Sequence, residues 1–136
     1  MTDRQLKALA LRYTAAWSSG DPCRVAACFA EDGSLRINDG PPATGRAAIA
    51  ATAQDFMTAL PDLSLALDGV DAHASGATYR WSLTGTNTGP GGKGNVVRIS
   101  GYEEWTLGPD GLIAASQGHM DSDEYQRQLG ADNGEP

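Results

Sequence analysis

Glu103 is the residue whose type and position raise the first chemical question. It lies in the stretch SGYEEWTL, residues 100–107, between Tyr102 and Trp105. Read as a strand, the segment sends adjacent side chains to opposite faces. Val97, Ile99, Gly101, Trp105 and Leu107 then share a face with Glu103, and Arg98, Ser100, Tyr102, Glu104 and Thr106 share the other. A carboxylate on an apolar face is costly when charged, so it holds a proton at a raised pKa or finds a partner. Three readings follow from the residues. The carboxyl reaches water or pairs with a cation such as Arg80 or Arg98; it is a pocket acid able to give or take a proton; or a bulge turns it outward.

The other chemistry-bearing side chains are few. Only two histidines, His73 and His119, and two cysteines, Cys23 and Cys28, occur, far short of a zinc set. The cysteines are five apart in one short helical stretch, which does not bring their sulfurs together, and read as small buried residues. In LIAASQGHMD, His119 and Asp121 share a strand face with Gln117, while Ser116, Gly118 and Met120 share the other. With the small residues facing a pocket, His119 and Asp121 face a dimer sheet or solvent, and a slip of one residue reverses this. Asn87 reads as a turn residue or a polar group at a pocket rim. The run GPGGKGN resembles a phosphate loop only in composition, because a strand rather than a helix follows it.

These residues must be positioned by a small set of elements. Leu6, Leu9, Ala10, Tyr13, Ala16 and Trp17 recur at helical spacing, with Thr2 or Asp3 as cap and Gly20 as terminator. GDPCRVAACFAEDG predicts a short second helix capped by Asp21, with Val25, Cys28 and Phe29 inward and Asp32-Gly33 turning the chain. SLRIN is a short strand, and DGPPATG is a loop into a third helix from Arg46 to Leu60. That helix presents Ile49, Ala53, Phe56, Met57 and Leu60, and Pro61 stops it. Strands LSLALDGV, TYRWSLTGTNT, VVRISGYEEWTL and LIAASQGHMD follow, the last two joined by a GPDG turn. Three helices followed by a mostly antiparallel sheet is an α+β order, with the helices on one sheet face closing a curved, cone-shaped sheet.

The chain has 136 residues, 40% of them hydrophobic and 20% charged, which suits one domain with one core. One domain is expected over residues 1–130, with residues 131–136 as a frayed polar tail. A net charge of −7, with no Lys/Arg cluster, argues against nucleic acid as a partner. No apolar run is long enough for a membrane span, and the N-terminus reads as a helix rather than a signal peptide. A cytoplasmic location is the expectation.

Taken in order, RYTAAWSSGD, CFAEDGSLRI, GPPATGRAAI, RWSLTGTNTGP, SGYEEWTLGPDGLI and GHMDSDEYQRQLG resemble the nuclear transport factor 2-like superfamily. Within it the chain is similar to the SnoaL-like polyketide cyclases and the ketosteroid isomerases, over about Leu6 to Gly130. The resemblance implies an α+β barrel of that type and a homodimer formed through the sheet, with Tyr102 and Val96 on the outer face. It implies that Tyr13 falls on the isomerases' first-helix oxyanion-hole tyrosine and Glu103 on their protonated strand aspartate, so that the two form a donor pair around a substrate oxygen. The isomerase base position falls on Ile37, with Asp39 as the nearest substitute. The cyclase base position falls near Gly118, with His119 and Asp121 nearest. The expected pocket is lined by Tyr13, Trp17, Ile37, Phe56, Trp81, Glu103, Trp105 and Met120, with Ser116 beside them. It is expected to take a small, apolar, cyclic carbonyl- or hydroxyl-bearing molecule without a cofactor. Two alternatives stand beside such an acid–base enzyme: a non-catalytic ligand-binding protein, or a protein-interaction module of the same fold.

Overall fold

Thr2 starts the first helix through the reciprocal bonds of a capping box. Its hydroxyl accepts from the Gln5 N–H, and its own N–H donates to the Gln5 side chain. The computed structural model describes residues 1–74 and 76–130. Helix α1, Asp3–Ser18, buries the expected stripe, including Tyr13 and Trp17. Helix α2, Pro22–Ala26, is capped by Asp21, whose side chain accepts from the Cys23 N–H. It is shorter than its sequence suggested. Phe29 already begins strand β1, Phe29–Ile37, and Asp32-Gly33 does not turn the chain but lies within that strand, at a register irregularity. The physical reason is crowding at Gly33, where a Cβ would lie 3.0 Å from the carbonyl oxygens of Ala30 and Ile113. A glycine that permits close backbone approach reads, in sequence, like a turn.

Strand β2, Ala43–Thr44, pairs with β1 inside the loop, and α3, Arg46–Ala59, ends before Pro61 as expected. Four longer elements complete the sheet: β3 at Ser64–His73, β4 at Gly76–Thr86, β5 at Val96–Leu107 and β6 at Ile113–Met120. The order is β2-β1-β6-β5-β4-β3, antiparallel except for the β1–β6 pair. The result is a curved, unclosed six-stranded sheet with the N-terminal helices on its inner face, an α+β fold as the sequence implied. The core on that face includes Tyr13, Phe29, Ile49, Leu60, Tyr79 and Ile113, each fully buried.

A fourth helix, α4 at Ser122–Gly130, follows the sheet and adds to the three N-terminal helices that the sequence implied. The Asp121 carboxylate accepts from the Glu124 N–H, which makes Asp121 a helix cap. Tyr125 of α4 is buried against Phe56, with ring centroids 5.6 Å apart. The side-chain amides of Asn87 and Asn95 both donate to the Leu129 carbonyl near the end of α4. Asn87 is thus an anchor between the glycine-rich connection and α4, and does not line the apolar cavity described below. Residues 131–136, expected to be a frayed tail, lie outside the described residues. Among the described residues, no helix is long and apolar enough to cross a membrane.

Candidate functional site

Alternation along β5 carries Glu103 inward. Val97, Glu103 and Trp105 are buried, while Arg98, Ser100, Tyr102, Glu104 and Thr106 on the other face are exposed. No bulge interrupts β5 between Val96 and Thr106 against its neighbour β4, so parity holds through the site. The cations considered as partners stay outside: Arg80 pairs with Asp71, and the exposed Arg98 meets Gln128 through its backbone.

Glu103 is instead surrounded by neutral donors. Tyr13 Oη donates to Oε1 at 3.0 Å and to Oε2 at 3.2 Å. Trp105 Nε1 donates to Oε1 at 2.9 Å, and Ser116 Oγ donates to it at 2.7 Å. The geometry follows from the strands, because Trp105 is two residues along the same face and Ser116 is its cross-strand partner on β6. Three donors saturate Oε1. Oε2 has only the longer arm of the Tyr13 contact, so it is the atom with capacity to act on another molecule.

Burial pushes the Glu103 carboxyl above its ordinary pKa, against the opposing pull of Trp105, Ser116 and Tyr13. Tyr13 is raised well above the usual phenol value, first by burial and then by the Glu103 charge, so it remains a donor. An aromatic cluster fixes it. Tyr13 meets Trp17, Phe29, Tyr79 and Trp105 edge-on, with centroids 5.3–6.4 Å apart. The Tyr79 hydroxyl is bonded to Thr14, whose own hydroxyl donates to the Ala10 carbonyl.

A narrow apolar cavity of about 50 Å³ lies against Glu103. Of the residues named from sequence, Trp17, Ile37, Phe56, Trp81, Met120 and His119 line it with Glu103. Tyr13, Trp105 and Ser116 do not; they lie behind the carboxyl and hold it. Tyr13 and Glu103, expected as two donors around a substrate oxygen, meet each other instead: Tyr13 donates to the carboxyl and does not line the cavity. Leu35, Leu65, Leu83, Ile99 and Gly118 complete the wall. Strand alternation from Ile37, Trp81 and Glu103 would have found Leu35, Leu83 and Ile99. The convergence of β3 on the same space carries no such signal.

The remaining candidates stand apart. Asn38, with φ of 52°, locks the end of β1 to β6 and α4 by accepting from the Met120 N–H and donating to Ser122 Oγ. The next residue, Asp39, is exposed and does not line the cavity. Asp121 is the α4 cap and borders only a shallow outer groove. His119 borders both the cavity and that groove, and stacks on Tyr102 at 4.5 Å. Ile37, Gly118 and Glu103 lie in that order in one row across β1, β6 and β5, so the two positions matched to inherited bases lie on one side of the carboxyl without supplying a second one. Among the described residues, no group of three or more His, Cys, Asp or Glu side chains is placed to hold a metal ion.

Solved structures share this architecture. A protein assigned as a SnoaL-like polyketide cyclase from Jannaschia sp. CCS1 superposes with a TM-score of 0.83 at 17% identity, covering 96% of this chain and 94% of its own. A protein of ketosteroid isomerase-like fold from Catenulispora acidiphila DSM 44928, in complex with trimethylamine, gives 0.78 at 16% identity, covering 96% and 95%. The epoxide hydrolase/cyclase-like enzyme SalBIII, of pyran ring formation in the polyether salinomycin, gives 0.76 at 20% identity, covering 91% and 97%. At these identities the likeness establishes the fold. A comparison with curated proteins finds no match. The SnoaL-like domain model matches residues 10–116, from α1 through the Ser116 that holds Glu103, and the chain belongs to the SnoaL-like domain family.

Proposed function

We propose that the protein performs cofactor-independent acid–base chemistry on a small, mostly apolar molecule, with Glu103 as the group that gives and takes the proton. The observation that carries this reading is the arrangement of Glu103. One oxygen is fixed by three donors, while the carboxyl lines an apolar cavity in which burial keeps its pKa raised. Tyr13, Trp105 and Ser116 are positioning residues, because they touch the carboxyl and not the cavity. Isomerisation, cyclisation or ring opening of a carbonyl or epoxide compound are the reaction classes such a carboxyl serves. The polyketide cyclase-like and epoxide hydrolase/cyclase-like names of two structural neighbours agree with that range. The cavity is only about 50 Å³, about a third of the roughly 150 Å³ that admits a benzene ring. A cyclic ligand therefore seats one end in it, or displaces the half-buried Phe56 and Met120.

The test is proton exchange at the α-carbon of cyclopentanone in D₂O, followed by NMR. Wild type should accelerate exchange over buffer, and Glu103→Gln should lose two or more orders of magnitude of that rate. Equal rates for the two proteins would remove Glu103 from the chemistry. One observation favours a second reading, a non-catalytic ligand-binding protein: Ile37 and Gly118 leave the row through Glu103 without a second carboxyl. Under that reading the ketone binds and its protons do not exchange.

A further inference from the structure

Strand β6 stops at Met120, which pairs with Gly101, so β5 from Val96 to Ser100 is paired with β4 alone and leaves an open strand edge. Helix α4 occupies that edge. It packs chiefly on β5, and the Gln128 side chain stands in for the missing strand. Its Oε1 accepts from the Arg98 N–H at 2.6 Å, and its Nε2 donates to the Arg98 carbonyl at 3.0 Å. Ile99, the next residue of β5, lines the cavity, as do Met120 at the end of β6 and Phe56 of α3. Phe56 is half-buried and stands between Trp17 and Tyr125, with ring centroids 5.9 Å and 5.6 Å away. Tyr125 does not line the cavity; it backs the Phe56 wall from α4.

The attachment of α4 is shallow. Tyr125 is its one buried residue, with Leu129 partly buried against the core. Polar bonds hold its two ends: Asn38 donates to Ser122 Oγ at the start, and the Asn87 and Asn95 amides donate to the Leu129 carbonyl near the end. Elements with few buried apolar contacts open without the rest of the fold. The other walls are firmer. β5 around Glu103 is paired on both sides, and α1 buries six residues. Asp121 belongs to neither β6 nor α4, while the Met120 N–H before it is fixed by Asn38, so a hinge falls at Asp121. We propose that α4 is the lid of the cavity: it swings off the β5 edge about Asp121, frees Phe56 to turn aside, and so admits a neutral, ring-sized apolar molecule. The proposal rests on reading the cavity as the ligand site and names what controls entry to it. At about 50 Å³ the closed cavity is about a third of the roughly 150 Å³ that holds a benzene ring, so no ring enters until a wall moves.

The experiment uses the whole chain and benzene, which has no acidic proton and no acceptor oxygen, so its entry does not depend on Glu103 chemistry. Backbone hydrogen exchange followed by NMR gives the opening of α4, and the Met120 methyl signal gives the rate of benzene association. Gln128→Ala and Asn95→Ala each remove an anchor of α4, and neither residue lines the cavity. In wild type the α4 amides should exchange together and faster than those of β5 around Glu103. Each substitution should speed α4 exchange roughly 2- to 10-fold, the worth of one net hydrogen bond, and raise the benzene association rate by the same factor. The factor is shared because a ring that enters only the open form is captured in proportion to its population. Faster α4 exchange with an unchanged association rate would overturn the proposal. So would α4 amides that open only when the whole protein unfolds, or a wild-type Met120 signal that never saturates with benzene. Two variants at separate anchors keep the comparison where one folds poorly. Ketone proton exchange separates this proposal from the catalytic one. Benzene entry that follows α4 opening, in a protein that exchanges no ketone protons, sustains the lid alone; ketone exchange without such entry sustains only the acid–base reading.

Discussion

Replacing Glu103 by Gln tests the physical state of the carboxyl independently of any ligand. The glutamine carbonyl can take the place of Oε1 and keep the donors Tyr13, Trp105 and Ser116 satisfied, while its NH₂ stands where a protonated Oε2 would. No donor is orphaned and no ion pair is broken. At about pH 4, with Glu103 neutral, the variant should therefore lie within about 1 kcal/mol of wild type. Glu103→Leu leaves all three donors unpaired and should cost at least about 3 kcal/mol, at about 1–3 kcal/mol each.

The pH dependence supplies the sign. Burial raises the carboxyl's pKa in the folded state. Below the ordinary carboxylate range both states hold the proton, and the residue makes no pH-dependent contribution. As pH rises through that range the unfolded chain releases its proton while the folded one keeps it. Wild type then loses stability until the folded pKa is passed, after which the loss is constant. Glutamine has no such loss, so its stability relative to wild type should climb with pH and level off. The height of the plateau measures the shift, at about 1.4 kcal/mol per unit. Urea denaturation of both proteins from pH 4 to pH 8, followed by circular dichroism, gives the difference, in which groups independent of Glu103 cancel. A variant that loses ground to wild type as pH rises would refute the reasoning. It would show that the three donors outweigh burial and that Glu103 is a comfortable anion.

Four further outcomes follow. Tyr13→Phe removes one of the contacts that hold the Glu103 pKa down, so the plateau should move to higher pH, with a stability cost of about 0.5–1.5 kcal/mol. Gly118→Asp sets a second carboxyl beside Glu103, where a Cβ would sit 3.8 Å from Glu103 Cγ; ¹³C titration of the pair should then show two coupled steps, the later above the wild-type value. Asp121→Ala should lower stability by about 0.5–2 kcal/mol through loss of the α4 cap and leave the ketone exchange rate unchanged, whereas a fall in that rate would make Asp121 a base after all. For the proposed dimer, Tyr102 and Val96 on the outer sheet face are 40% and 59% exposed, so Tyr102→Glu should shift sedimentation toward the monomer, and an unchanged profile would move the interface elsewhere.

What the sequence disclosed depended on periodicity. Strand parity puts Glu103 on the apolar face, and the structure closes the bulge alternative, because β5 runs against β4 without a register shift there. The α1 stripe was equally legible, because an amphipathic helix with a capping box writes its buried face into the spacing. The start of β1 was not, since Gly33 serves a close backbone approach and looks like a turn. Helix α4 is hard to read although Asp121 and Glu124 stand in capping-box spacing, because its buried surface is little more than Tyr125 and its other residues are mostly polar. Which side of Glu103 its donors occupy was also illegible. Tyr13 and Glu103 are 90 residues apart, and only the packing of α1 on the sheet decides that the hydroxyl meets the carboxyl from behind.

That arrangement limits the chemistry. A carboxyl flanked by a second acid can divide the work, one group ionised and the other protonated. Here Gly118 is the next residue in the row and Ile37 the one beyond it, Tyr79 stands on the other side, and His119 at the rim is the other titratable residue lining the cavity. With Oε1 saturated, a proton that Glu103 takes from a ligand under the proposed chemistry would sit on Oε2 and be returned from there, to the same face of the molecule. Reactions that move a proton between neighbouring atoms on one face fit this geometry, and those needing an acid and a base on opposite faces do not. The stereochemistry of deuterium uptake distinguishes them: a prochiral ketone should exchange one face of its α-carbon in wild type, and exchange at both faces at equal rates would mean that the proton reaches the ligand from somewhere other than Glu103.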